Sequence, residues 1–139
     1  MVNGTPTTLR SVAARYHGVR GNMEPKQFVA ALERECRDSA VEGCLEDFES
    51  PPGRRPDPTL VQISNWFNSL APDDREMVAR AMREAADATL FGVLCVLDGV
   101  RPIENGAEKS CFKLIAEKDN KQSVICPGTV DLHDLKQSL

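Results

Sequence analysis

The chain has 139 residues, of which 27% are charged and 41% hydrophobic, with a formal net charge of −4. That balance suits one folded globular domain and not a disordered chain. It argues against sequence-independent nucleic-acid binding, which needs clustered Lys and Arg to displace counterions.

The opening residues, M-V-N-G-T-P-T-T-L-R, lack the apolar core of a signal peptide. The most apolar stretch, Ala88 to Val100, falls well short of the ~20 residues that a membrane-spanning helix needs. Five cysteines, odd in number and irregularly spaced, do not match a secreted disulfide framework. These features lead us to expect a cytoplasmic protein with reduced thiols and no membrane association.

Residues 1–23 form a weakly patterned arm. Leu9, Val12, Ala13 and Tyr16 recur at helical spacing, and Gly18 and Gly21 then interrupt them. Residues 24–139 read as a single α+β domain. A first long helix starts at Pro25, with Phe28, Val29, Leu32, Cys36, Ala40, Cys44 and Phe48 stepping along one side. Pro51-Pro52-Gly53 ends it.

Asp57-Pro58 is a good start for a second helix: a capping carboxylate, then proline at the first position. Its apolar stripe is Leu60, Ile63, Trp66, Phe67 and Leu70, and Trp66 reads as a core anchor. A third helix opens at Pro72 with Asp73 and Asp74 in its first turn, where the helix dipole favours acids. Val78, Ala81, Met82 and Ala85 are expected to face inward. After Ala88 the polar face vanishes, which predicts a central helix end buried on all sides. Within it Gly92 implies close backbone contact with another element, and Gly99 supplies a left-handed C-cap. A β-hairpin turning at Lys118-Asp119-Asn120-Lys121 follows, then a short terminal helix with Thr129 or Asp131 as its cap. The predicted architecture is thus three main helices around a buried central helix, followed by a hairpin and a short helix.

Candidate chemistry is sparse. Of the two histidines, His17 and His133, the second lies in V-D-L-H-D-L between Asp131 and Asp134. A neighbouring carboxylate can orient an imidazole and raise its pKa. Residues adjacent on a helix point apart, however, so packing or capping is the alternative reading. Asp98 ends the apolar helix three residues before Arg101, which suggests a structural ion pair or a functional acid. Cys95 should be inert in its apolar run. Cys36 and Cys44 can both face the core, and Cys111 and Cys126 come close only if the hairpin loop spans Glu117 to Asn120. No C-x-x-C pair, glycine-rich phosphate loop, G-x-S-x-G or H-E-x-x-H motif occurs. We therefore expect no metal and no cofactor, and find no positive case for an enzyme. The candidate functional residues are His133, Asp131, Asp134 and Asp98.

The stretches W-F-N-S-L-A-P-D-D-R, F-G-V-L-C-V-L-D-G-V-R and the closing L-H-D-L resemble a group of small bacterial proteins of unknown function. Those proteins combine helices, a strand pair and a Leu-His-Asp-Leu ending, and the resemblance spans about residues 57 to 137. Comparable small acidic proteins are encoded beside secreted toxins and act as their immunity partners. The resemblance implies a cytosolic interaction protein that neutralises a toxin encoded nearby, and it assigns no binding residues. A small-ligand binder or enzyme using His133, and a homo-oligomer using leftover apolar surface on the second and third helices, are the alternatives.

Overall fold

The computed structural model describes residues 21–139, so the predicted arm and His17 lie largely outside the described residues. The chain is α+β. The helices are α1 (Pro25–Leu32), a π-helical segment (Glu33–Asp38), α2 (Ser39–Glu49), α3 (Pro58–Ser69) and α4 (Pro72–Leu97). The antiparallel strands β1 (Leu114–Lys118) and β2 (Lys121–Cys126) follow, and α5 (Leu132–Gln137) ends the order. No described helix is long and apolar enough to cross a membrane.

The local signals for start and stop hold. Asp57 accepts from the backbone N–H groups of Thr59 and Leu60, and Pro58 opens α3. Gly99, at φ +77°, ends α4. The Val100 N–H reaches the Cys95 carbonyl and the Gly99 N–H reaches Val96, the paired closure of a Schellman motif. At the hairpin tip Asp119 and Asn120 both take positive φ, 52° and 58°. A two-residue turn that follows the strand twist requires this, and Asp and Asn tolerate it better than most residues.

The first long helix departs from its predicted face for an identifiable reason. The π-helical segment inserts an extra residue per turn, so the buried side shifts by about one position beyond it. Val41 is buried and Leu45 half-buried, whereas Cys36, Ala40 and Cys44 are exposed. The 3.6-residue stripe anticipated for those three therefore fails C-terminal to Leu32. All five cysteines are free. Leu114 pairs with Cys126 across the hairpin, and the loop is shorter than a Cys111–Cys126 approach required.

The main core joins Val29 of α1, Leu94 of α4, Ile125 and Cys126 of β2, and Leu132 of α5. Met23, Leu90, Leu97, Leu114 and Leu135 pack around it. A second contact area joins α2 to α3, where the rings of Phe48 and Phe67 lie 5.8 Å apart and Arg75 sits over Phe67. Asn68 donates to the carbonyls of Phe48 and Glu49, satisfying orphan acceptors at the end of α2.

Three expectations about the helices are overturned. Trp66 is 53% exposed, and its neighbour Phe67 fills the core position. Ala81 and Ala85 face outward. The C-terminal half of α4 is covered on one side only. Leu94 and Cys95 are buried, whereas Val93 is half-exposed and Ala88 and Thr89 are exposed. α1, the hairpin and α5 all gather on the Leu94 side, and no described element remains for the other.

Candidate functional site

The most concentrated polar constellation lies where the end of α4 meets the start of α5. Asp98 is the C-cap residue of α4, and its side chain is only 3% exposed. It caps α5 from outside that helix: one carboxylate oxygen accepts from the Leu132 N–H at 3.0 Å, the other from the His133 N–H at 2.9 Å. The second oxygen also lies 2.7 Å from His133 Nδ1. Asp131, at the N-cap position of α5, makes no side-chain capping bond of its own. Asp131 thus holds the expected N-cap position, while the capping hydrogen bonds come from Asp98, more than thirty positions earlier.

This arrangement corrects the expected Asp98–Arg101 pair. Asp98 is held by His133, and Arg101 instead lays its guanidinium over Gly92, so close that a Cβ there would collide with it at 2.5 Å. What lies against Gly92 is therefore the flexible end of a side chain, which can shift, and not the backbone of another element.

His133 is held on three sides. Asp98 binds Nδ1, the ring of Phe91 meets it nearly edge-on at 5.9 Å, and Nε2 lies 3.6 Å from an Asp134 oxygen. Donating a hydrogen bond to the Asp98 carboxylate raises the pKa of His133 against the opposing effect of burial, with Asp134 and Asp131 adding to the rise. Nearby Cys126 is buried, and its thiol donates to the Leu97 carbonyl at 2.9 Å. Burial and the negative charges of Asp98 and Asp131 push that thiol up, the opposite of what a nucleophilic thiolate needs.

The structure therefore brings together all four candidates, which adjacency along a helix alone would not do. One ligand atom each from Asp131, His133 and Asp134 lies within 4.8 Å of the others. A histidine whose second nitrogen is fixed by a carboxylate also has the outer-shell geometry of a metal ligand. Against this, the three residues sit at a helix N-terminus, whose dipole opposes a cation. Asp131 and Asp134 are exposed, as helix-start acids ordinarily are. An open groove of about 340 Å³ runs along α4 from Ala88 to Leu97, and it is lined by Arg101 and by none of the four candidates. The chemistry available to Asp98 and His133 is thus mutual: acceptor, donor and helix cap in a single joint.

A second polar group escaped the sequence reading. Asp87 of α4 receives Lys136 of α5 at 2.7 Å and Arg37 of the π-helical segment at 2.8 Å, and Arg37 also reaches Glu33. Lys136 holds the Asp87 carboxyl below the usual carboxylate range, with Arg37 contributing in the same direction. The partners of Asp87 lie about fifty residues away on either side, beyond the reach of any local sequence pattern.

Comparison with known proteins adds no relative: no family model, curated protein or solved structure matches this chain.

Proposed function

We propose that the chain is a protein-interaction module without chemistry of its own, and that its partner closes over Trp66 on α3. The supporting observation is the placement of that residue. The chain's single tryptophan stands 53% exposed although Phe67 beside it is 3% exposed. Tryptophan is enriched among the few residues that carry most of the binding energy in interfaces. The strongest polar constellation, by contrast, satisfies itself internally. Asp98 is engaged with backbone donors and with His133, and Cys126 is buried and protonated.

The most concrete form of this reading is neutralisation of a toxin encoded nearby, with this chain occluding the toxin's working surface. The test is to mix the purified chain with the product of the adjacent coding sequence. A stoichiometric complex should form, and the fluorescence of Trp66 should shift to the blue as its ring leaves water. A mixture that elutes as two separate species with unchanged emission would sink the reading.

A further inference from the structure

α4 carries an outward apolar face whose pattern reads the same in both directions. At 3.6 residues per turn, Met77, Ala81, Ala85, Ala88, Gly92 and Val96 fall within an arc of about 100°. Met77 is 61% exposed, and Ala81, Ala85 and Ala88 are exposed. No described helix or strand covers these four, whereas Gly92 is buried beneath the Arg101 side chain and Val96 is half-buried. The six positions are symmetric about the midpoint between Ala86 and Asp87. An antiparallel copy of the helix would therefore stack Met77 on Val96, Ala81 on Gly92 and Ala85 on Ala88, each layer occurring twice. A two-fold interface needs this self-complementarity, and the small central residues let two helix axes approach to about 8 Å.

Charge complements the pattern at both ends. Asp74 is exposed, lies on the same arc one turn before Met77, and stands symmetric to Gly99, close to Arg101. The Arg101 backbone N–H donates to the Cys95 carbonyl, but its guanidinium has no hydrogen-bond or ion-pair partner among the described residues; it rests over Gly92 beside apolar Val93 and Val96. A cation parked on apolar surface without an anion is free to be drawn away.

We propose that this face docks a second copy of the chain, α4 against α4 in antiparallel orientation, with each Arg101 leaving its own Gly92 to pair with Asp74 of the other copy. The face lies on a different helix from Trp66, so this inference goes beyond the reading above and does not depend on it. One helix face buries less than the roughly 800 Å² per partner of a standard stable interface. The dimer is accordingly a concentration-dependent one.

Sedimentation equilibrium of the full chain over about 5 to 500 µM tests this by mass action. The average mass should climb from 15.3 kDa toward twice that value. Ala85→Glu places like charges beside each other at the centre of the seam. It should keep the monomer mass throughout while melting like the parent, and Ala88→Lys should behave in the same way. Arg101→Asp should weaken association at least about fivefold, and the charge swap Asp74→Arg with Arg101→Asp should restore it. A parent that stays monomeric at every concentration overturns the proposal, whether residues 1–20 or another protein takes the face. So does an Ala85→Glu variant that associates as the parent does.

Discussion

Asp98 grips His133 twice through one oxygen, accepting from the ring at 2.7 Å and from the backbone N–H at 2.9 Å, while its other oxygen holds Leu132. One carboxylate thereby ends α4, starts α5 and fixes an imidazole. Its removal should be costly. Asp98→Ala leaves three part-buried donors without an acceptor, and a loss of about 3 kcal/mol is expected. Urea unfolding of the variant measures this. A midpoint equal to the parent's would show that the joint contributes nothing.

The same contact sets a pH dependence. The folded-state pKa of His133 is raised above its ordinary 6.5. The stability from this contact is therefore fully present below pH 6.5 and fades as pH rises through the higher folded value. Melting temperatures between about pH 5 and 9 should fall across that alkaline step, and His133→Gln should remove the step. Proton NMR of the His133 ring should give a midpoint above 6.5; one below it would contradict the geometry.

Asp87 works in the opposite sense. Its folded pKa is depressed by Lys136 and Arg37. Its contribution is present above the unfolded value of about 3.8 and is lost as pH falls through the lower folded one. Because the Asp87 side chain is 40% exposed, solvent screens the pair and Lys136→Ala should cost only about 1 kcal/mol. The acid limb of the stability profile should flatten in that variant, and an unaltered limb would remove the network from the account of acid stability.

Neighbouring residues on α4 offer a sharp contrast. Leu94 is fully buried and Val93 half-exposed. Leu94→Ala should lose about 2–5 kcal/mol, and Val93→Ala no more than about 0.5. Chemical denaturation of the two variants side by side checks the orientation of the helix. Equal losses would mean that the outward face is covered after all.

These contrasts show what the sequence made legible. Asp57-Pro58, Gly99 and Asp119-Asn120 act through their own backbones and immediate neighbours, so helix starts, stops and the hairpin turn could be read directly. The side of a helix that faces the core is a tertiary decision. Trp66 and Phe67 both fit an apolar stripe, but consecutive helical residues diverge by about 100°. The approach of Phe48 on α2 selected Phe67. The π-helical turn after Leu32 moved the buried stripe to Val41, a change that a constant period cannot show. At the candidate site, Asp98 and His133 were each recognisable as residues of interest. Their contact was not, because it exists only once α5 is folded back on the end of α4. The missing polar face after Ala88 was real, but the chain has no described element left to cover it.

The most direct test of the interaction reading is a calorimetric titration of the neighbour-encoded protein into the parent and into Trp66→Ala. The expected result is stoichiometric binding to the parent and at least about 30-fold weaker binding to the variant, in line with loss of an interface anchor, with melting temperatures unchanged. Equal affinity for both proteins, or no heat of binding to the parent, would contradict it.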